Sequence, residues 1–296
     1  MESGTEQLLL QLKTLADPTR LRLVALCRRG ECSVSELAQA SGHSQPRVSQ
    51  HLKQLCDAGL LERFRDGKRV YYRVPVARSG SAALRRLLDL IPHTDPVMAG
   101  DAERLRELRG PGRPISAAEA PPEPSDRAIH RLLLDLTVTA PLGDLLDIGC
   151  GRGRMLKLLA SRANRAIGVD IDADARQLAR TELMLAGLPN CSLRQGDMYR
   201  LPFADSEFDT IILDDVLADA RKPVQVLIEA RRLLRSNGRL LVLQELGHRA
   251  TQTLQTSLAK WSVAAGLRLA PARFAPEKNP EWLLCVATRI ADAAAA

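Results

Sequence analysis

The segment Leu145-Leu146-Asp147-Ile148-Gly149-Cys150-Gly151-Arg152-Gly153 decides the fold of the C-terminal part of this chain. It starts as an apolar strand, continues into a bend with glycine at every second position, and predicts a helix beginning near Met155. Glycines in such a bend let a ligand approach the backbone and the N-terminus of the next helix. The spacing is G-x-G-x-G and differs from the dinucleotide pattern G-x-G-x-x-G, because Arg154 stands where that pattern continues. The bend alone therefore predicts a ligand site without naming the ligand.

Acidic residues follow the next predicted strands. Residues 166–169 form an apolar run that ends at Asp170, where a carboxylate can accept hydrogen bonds from both hydroxyls of a ribose. Gly196-Asp197-Met198 follows another short strand, and Asp197 is placed to accept from an adenine amino group. Residues 208–213 form a further strand that ends at Asp214. This ordered set predicts that an adenosine-containing ligand binds along one edge of a sheet.

Residues 126–290 resemble the class I S-adenosylmethionine-dependent methyltransferases in these motifs and in Leu201-Pro202-Phe203 and Leu233-Leu234-Arg235-Ser236-Asn237-Gly238. The resemblance implies an α/β, Rossmann-like domain with a seven-stranded, mostly parallel sheet and helices on both faces. It also implies that S-adenosylmethionine or S-adenosylhomocysteine binds across the carboxyl ends of the strands. The residues implied to bind it are Asp147, Gly149, Cys150, Gly151, Gly153, Asp170, Ile171, Asp197, Met198 and Asp214.

Two functions for this domain remain open at this stage. Methyl transfer from a sulfonium needs little beyond alignment, so the lack of an obvious base does not exclude an active small-molecule methyltransferase. However, the domain has no room for a cap over an acceptor, which favours a domain that only senses the ligand. Asp214 either orients an acceptor or is a solvated strand end, and His248 is a weaker candidate base. No catalytic residue is assigned.

The N-terminal part begins with short helices that carry clear start signals. Asp17-Pro18 predicts one helix start, and Ser33-Val34-Ser35-Glu36 is a capping box for a second helix that ends at Gly42. Ser44 precedes a third helix, residues 45–58, in which Val48, Leu52 and Leu55 form an apolar stripe. A short helix, a glycine-containing turn and a polar helix make a helix-turn-helix. The side chains predicted to read DNA from this third helix are Gln45, Arg47, Ser49, Gln50, His51 and Lys53.

A basic hairpin follows this helix. Asp66-Gly67 separates two strand-like runs, residues 60–65 and 68–74, and Asp-Gly is a strong hairpin signal. Basic side chains interleaved with aromatic rings are suited to contacts with a sugar-phosphate backbone. The residues predicted to contact DNA here are Arg65, Lys68, Arg69 and Tyr72.

Residues 10–91 resemble the ArsR family of winged-helix repressors. The resemblance rests on Leu15-Ala16-Asp17-Pro18-Thr19-Arg20-Leu21, on Ser49-Gln50-His51-Leu52-Lys53-Gln54-Leu55 and on Gly67-Lys68-Arg69-Val70-Tyr71-Tyr72-Arg73. It implies a homodimer, joined through the first and last helices of the domain, that binds a palindromic double-stranded operator and releases it when an effector binds. The whole chain resembles fusions of such a regulator with a methyltransferase domain, including regulators that respond to S-adenosylhomocysteine. This resemblance extends to Gln244-Glu245-Leu246-Gly247-His248 and Trp261-Ser262-Val263-Ala264-Ala265-Gly266-Leu267.

Metal sensing is not expected. Many family members hold a metal through two cysteines, but Ser33 and Ser35 stand at those positions here, and a neutral hydroxyl is a poor ligand for zinc or arsenite. Cys27 and Cys32 leave an offset site as a minor alternative. The six cysteines contain no C-x-x-C pair, so neither a disulfide framework nor a zinc ribbon is indicated.

Composition bounds the rest. A chain of 296 residues favours two domains. The predicted boundaries are 1–95 for the DNA-binding domain, 96–125 for a proline-rich linker and 126–296 for the methyltransferase-like domain. Residues 1–95 carry 15 Lys and Arg against 10 Asp and Glu, so much of the net charge of +7 lies where DNA is expected. No signal peptide or membrane span is evident, so a cytoplasmic protein with no membrane partner is expected.

Overall fold

The computed structural model describes residues 4–76, 81–91, 95–110, 124–246 and 251–290. It divides into two compact units, which are described separately. The first comprises Met1–Ser116 and Arg180–Ser192, and the second comprises Ala117–Ala179 and Leu193–Ala296. In the described part of the chain, no helix has both the length and the apolar character needed to cross a membrane.

The first unit is mainly helical with a small sheet. Its elements within Met1–Ser116 are α1 (Gly4–Leu15), α2 (Pro18–Cys27), β1 (Cys32–Ser33), α3 (Val34–Ser41), α4 (Gln45–Asp57), β2 (Glu62–Asp66), β3 (Arg69–Arg73), α5 (Ser81–Asp89) and α6 (Pro96–Leu108). β3 lies between β1 and β2 and pairs antiparallel with both. This is the arrangement of a winged helix-turn-helix, as predicted.

The predicted helix signals act as expected. Asp17 caps α2 by accepting a hydrogen bond from the N–H of Arg20, and this bond lowers the pKa of Asp17. Ser33 and Glu36 form the complete capping box of α3, and Gly42 ends that helix with φ +72°. Such a left-handed C-terminal residue strongly favours glycine.

The predicted linker over residues 96–125 is wrong for Pro96–Leu108, which form α6. Asp95 caps this helix by accepting from the N–H groups of Val97 and Met98. Leu105 is fully buried, and the buried carboxylate of Asp101 forms an ion pair with Arg22. These contacts make α6 part of the first unit's core, whereas residues 111–123 of the predicted linker lie outside the described residues.

The second unit has a layered α/β arrangement. Its elements are α7 (Pro124–Thr139), β4 (Asp144–Ile148), α8 (Arg154–Leu159), β5 (Arg165–Asp170), α9 (Ala173–Leu185), β6 (Cys191–Gln195), β7 (Phe208–Asp214), α10 (Pro223–Leu233), β8 (Leu234–Glu245), α11 (Thr251–Ala264), β9 (Leu267–Leu269), β10 (Arg273–Ala275) and β11 (Trp282–Arg289). Helix α9 and strand β6 are each divided between the two units.

The sheet order is β10-β11-β8-β7-β4-β5-β6, with β9 also paired to β11. β4 pairs parallel with β5 and β7, and β7 pairs parallel with β8, whereas β11 is antiparallel to its neighbours. The mostly parallel sheet is confirmed, but it has eight described strands where seven were expected. The additional strand arises because β9 and β10 pair with opposite ends of the same edge of β11.

Candidate functional site

Helix α4 presents the polar face that was predicted to read DNA. Val48, Leu52 and Leu55 are fully buried and fix the orientation of the helix. The opposite face is open to solvent: His51 is half-buried, and the exposed side chains are Gln45, Arg47, Ser49, Gln50 and Lys53. This set places several hydrogen-bond donors and two cationic groups on one helix surface.

The hairpin of β2 and β3 forms the wing. Arg65, Lys68 and Arg69 are exposed around the turn at Gly67. Tyr72 differs from its prediction, because its side chain is only 8% exposed and belongs to the core. Burial also raises the pKa of Tyr72. Successive side chains of a strand point to opposite faces of the sheet, and Tyr71 and Tyr72 are both buried, so both faces of β3 are covered here and the ring of Tyr72 is not part of the exposed wing surface.

The glycine bend lies between β4 and α8. Gly149, Gly151 and Gly153 all have positive φ angles, of +74°, +50° and +79°. A Cβ atom at Gly149 would lie 2.6 Å from a methyl carbon of Val216, so no larger residue fits there. A Cβ at Gly151 would meet nothing within 4 Å. The bend is therefore packed on one side and open on the other, as backbone that receives a ligand must be.

Asp170, at the end of β5, is bound to this bend. One carboxylate oxygen accepts from the N–H of Gly151 at 2.8 Å, and the other accepts from the N–H of Asp172 at 2.9 Å. A carboxylate oxygen can accept two hydrogen bonds, so each oxygen can still receive one hydroxyl. The backbone bonds fix the orientation of the carboxylate beside the bend.

Asp147, in β4, is a buried carboxylate in which neither oxygen has a hydrogen-bond partner. Burial raises the pKa of Asp147 well above its ordinary value, and the negative charges of Asp214 and Asp170 raise it further. An unpaired buried carboxyl is costly to the folded state. A cationic group placed beside it would supply the missing partner.

Asp214, at the end of β7, forms a two-pronged ion pair with Arg154, with shortest separations of 2.8 and 2.9 Å from Nη2. The Arg154 guanidinium also lies 4.5 Å from the centre of the Trp282 ring, which is within cation–π range. Burial raises the pKa of Asp214, although Arg154 opposes this effect. From the sequence, Arg154 was noted only as the residue that breaks the dinucleotide pattern, and Trp282 was not identified, because the two partners of Arg154 come from distant strands, Asp214 from β7 and Trp282 from β11.

The other predicted ligand residues are less constrained. Ile171 is 69% exposed beside Asp170. Asp197 is exposed and accepts a hydrogen bond from the N–H of Tyr199, while Met198 packs against the core. Cys150 is buried, and burial raises the pKa of its thiol, so it stays protonated rather than acting as a nucleophile. His248 lies outside the described residues.

The cysteines of the first unit do not resemble a prepared metal site. Cys27 and Cys32 are buried, and a hydrogen bond between their side chains, together with burial, raises the pKa of Cys27 well above its ordinary value. Metal binding requires the thiolate form. Within the ranges that the structure describes, no three His, Cys, Asp or Glu side chains are grouped so that they could hold a metal ion.

Two family models match the chain. Residues 17–63 match the model described as bacterial regulatory protein, arsR family, and residues 142–272 match the model described as methyltransferase domain. The first match covers α2 to the start of β2, including the helix-turn-helix. The second begins just before β4 and contains the glycine bend, Asp170, Asp197 and Asp214.

Individual relatives match one part or the other. The arsenic resistance transcriptional regulator ArsR1 of Pseudomonas putida is 40% identical over 36% of this chain and 84% of its own length. Nocamycin O-methyltransferase of Saccharothrix syringae is 35% identical over 38% of this chain and 42% of its own length. A solved S-adenosylmethionine-dependent methyltransferase of Aquifex aeolicus is 15% identical, with a TM-score of 0.47, over 56% of this chain and 88% of that one.

The extent of these matches varies. The chain spans 34% of the length of one curated relative and 50% of another, so it shares only a segment with them. The match to ArsR1 includes most of that regulator. The chain therefore belongs to the ArsR family of bacterial regulatory proteins and carries a methyltransferase domain C-terminal to its helix-turn-helix.

Proposed function

We propose that the chain is a DNA-binding transcriptional repressor whose methyltransferase domain binds S-adenosylhomocysteine or S-adenosylmethionine as an effector. The observation that carries the effector role is the ion pair between Asp214 and Arg154. Asp214 is the residue that the sequence offered as a group to orient an acceptor, and its carboxylate at the end of β7 is already bound by a guanidinium. An acceptor would need that carboxylate free to orient or deprotonate it.

The residues present fit such a ligand. Asp170 retains acceptor capacity for the two ribose hydroxyls, and the open side of the bend at Gly151 accommodates the ligand's close approach. The orphaned Asp147 carboxylate fits the α-ammonium group of the amino-acid end. The adenine would contact Asp197, Ile171 and Met198, and the thiol of Cys150 would line the bend. The bound nucleoside would supply no chemistry in this role beyond its shape and charge.

The operator is proposed to contact α4 and the wing. The α4 contacts are Gln45, Arg47, Ser49, Gln50, His51 and Lys53, and the wing contacts are Arg65, Lys68 and Arg69. We propose that a homodimer forms through α1 and α5, because α1 has no buried residue. Four of its leucines are 41–50% exposed, namely Leu8, Leu9, Leu10 and Leu12. A palindromic operator follows from that symmetry, and the role places the protein in the cytoplasm.

The test is a gel shift with duplex DNA selected by the purified protein from a random library. Saturating S-adenosylhomocysteine is expected to weaken the complex, because an effector acts through its different affinities for the free and DNA-bound states. A parallel calorimetric titration shows whether the ligand is bound. An unchanged shift at a concentration that saturates the protein would remove the effector role.

A second candidate is an active small-molecule methyltransferase with a fused DNA-binding domain. It is favoured by the similarity to an O-methyltransferase over 119 residues. This function predicts transfer of a labelled methyl group from S-adenosylmethionine to a small acceptor. The effector function predicts that adding the purified protein to a small-molecule fraction of cell extract, freed of other proteins, leaves the label on the nucleoside.

A further inference from the structure

One arginine of the first unit is buried between two acidic side chains, one of which lies at the tip of the wing. Arg180 is 4% exposed, and its Nε donates to Glu31 at 3.0 Å while its Nη2 donates to Asp66. The guanidinium lies 4.0 Å from the centre of the Tyr71 ring, in a cation–π contact. These four residues are called the Arg180 cluster.

The cluster controls the charge at the tip of the wing. Asp66 precedes the turn at Gly67 and is buried, whereas its neighbours Arg65, Lys68 and Arg69 are exposed. A carboxylate released at this tip would repel DNA phosphates and would neutralise one of the exposed cations. By binding Asp66 inside the first unit, Arg180 leaves a tip whose exposed charges are all positive.

Because the Arg180 cluster is buried, the loss of any one of its charged contacts is costly. Burial alone disfavours a charged guanidinium, but the attraction of Glu31, Tyr71 and Asp66 raises the pKa of Arg180 above its ordinary value. Removing one partner from such a buried group leaves an uncompensated charge, which is more costly than losing a surface ion pair. Loss of the Asp66 contact would therefore destabilise the cluster more than the loss of a surface ion pair.

The helix that carries Arg180 begins at the candidate ligand site. α9 starts three residues after Asp170, and the buried Arg176 donates from this helix to the backbone carbonyl of Asp170 at 2.9 Å. Ala179 packs on the glycine bend, since a Cβ placed at Gly153 would lie 3.4 Å from its methyl group. Arg180 is the next residue in the chain. α9 is one helix, and the division between the two units falls between Ala179 and Arg180.

We propose that Arg180 is the positioning residue through which a nucleoside bound at Asp170 regulates the DNA-binding wing. This inference rests on the proposed effector function. A ligand that presses on the bend and on Asp170 displaces α9, which weakens the hold of Arg180 on Asp66. The wing then loses its position or exposes Asp66, and its affinity for phosphates falls. The nucleoside-free and nucleoside-bound states would then differ both at the nucleoside site and at the wing that contacts DNA, as allosteric coupling requires.

The experiment compares Arg180→Met, Asp66→Asn and the double variant with the wild type. Arg127→Met is the matched control, since it removes one exposed arginine outside the cluster. Binding to the selected duplex is measured by fluorescence anisotropy with and without S-adenosylhomocysteine. Nucleoside binding is measured separately by calorimetry. Hydrogen exchange of residues 62–73 reports the wing directly.

The wild type and Arg127→Met are expected to lose about 5–150-fold in DNA affinity when the nucleoside binds, the usual range of allosteric coupling. Arg180→Met is expected to bind the nucleoside within about twofold of the wild type but to lose most of this response. Its wing should exchange faster without ligand, and the ligand should add no further exchange. Asp66→Asn should lose the response too. The double variant removes both charges, so it should restore the ligand-free DNA affinity that Arg180→Met loses.

The two possible failures are distinguishable. If the wild type responds and both Arg180→Met and the double variant respond equally, the role of Arg180 is wrong while the effector function stands. If the nucleoside leaves the wild-type DNA affinity and wing exchange unchanged, the effector function and the regulation that rests on it both fail. Should Arg180→Met not fold, the double variant and Asp66→Asn decide the question, because neither leaves Asp66 as a buried unpaired carboxylate.

Discussion

Helix α4 and the carboxyl edge of the sheet at β4 present their functional groups in opposite ways. On α4 the apolar residues are buried, and all the side chains predicted to read DNA except the half-buried His51 are exposed before any partner arrives. At the sheet edge, Asp147 is already removed from water and has no hydrogen-bond partner. A solvated polar face can bind DNA of many sequences, whereas a buried carboxylate favours a ligand with a positive group at one position. The comparison separates broad affinity from specific recognition.

The largest expected effect tests the sheet edge. Asp170→Ala should lower the affinity for S-adenosylhomocysteine by about 100-fold or more, since two hydrogen bonds to a charged acceptor contribute about 1.5–3 kcal/mol each. Calorimetry gives the affinity. Asp174→Ala is the control, because Asp174 is an exposed acid in the first turn of α9, four residues after Asp170. Equal affinities of the two variants would exclude the ribose assignment.

Asp147→Asn should lower the affinity by about tenfold, the value of one charge-assisted hydrogen bond. The raised pKa of Asp147 adds a pH dependence. Its ionised form is the one that pairs with an ammonium group, so wild-type binding should weaken as the pH falls through the raised pKa. Asp147→Asn should lack this dependence in titrations across the same pH range. A variant that keeps the wild-type pH profile would mean that another group titrates.

Asp147→Asn should weaken ligand binding but should stabilise the ligand-free folded protein. A carboxyl whose pKa is raised by folding holds its proton more tightly in the folded state. The free energy of unfolding therefore falls as the pH rises from the unfolded-state pKa through the folded-state pKa. Asp147→Asn should raise Tm at neutral pH by about 2–4 °C per kcal/mol of relieved cost, with a smaller gain at acid pH. Thermal unfolding without ligand measures this, and a lower Tm at neutral pH would contradict it.

The DNA-binding side should show smaller and more graded effects. Gln50→Ala should cost about 1–3 kcal/mol on the selected duplex and relax the sequence preference, if Gln50 contacts a base edge. Lys68→Ala should weaken binding to all duplexes alike and reduce the slope of log affinity against log salt by about 1. Lys260→Ala, an exposed lysine of α11, is the control. Loss of sequence preference in Lys68→Ala would reverse the two assignments.

Local signals in the sequence were sufficient for much of the fold. The Ser33–Glu36 box, the Gly42 terminus and the strand–bend–helix at Gly149 depend on residues within a few positions of each other, and the structure confirms them. α6 was missed because seven of the chain's 17 prolines fall within residues 92–124, which suggests a linker. What stabilises this helix is the ion pair of Asp101 with Arg22, whose partners are 79 residues apart.

The site was partly predictable for the same reason. Strand ends can be read from the sequence, so Asp170 and Asp214 were found, and the structure places each at the end of its strand. Arg154 and Arg180 were not recognised, because an arginine near a helix start or within a helix is ordinarily a surface residue. Their partners, Asp214 and Asp66, lie 60 and 114 residues away in the sequence. Pairing between distant elements, rather than residue type, gives these arginines their roles.

The smallest expected effect concerns the ring that the sequence assigned to DNA. Tyr72→Phe should change operator affinity by less than about twofold, because the side chain is 8% exposed and packs in the core. Arg69→Ala, on the exposed part of the same strand, should weaken binding and lower the salt dependence. Anisotropy titrations at two salt concentrations separate the two variants. A loss of tenfold or more for Tyr72→Phe, about 1.4 kcal/mol, would mean that its hydroxyl reaches DNA. Tyr72 would then belong to the DNA-binding surface of the wing and not to the buried core.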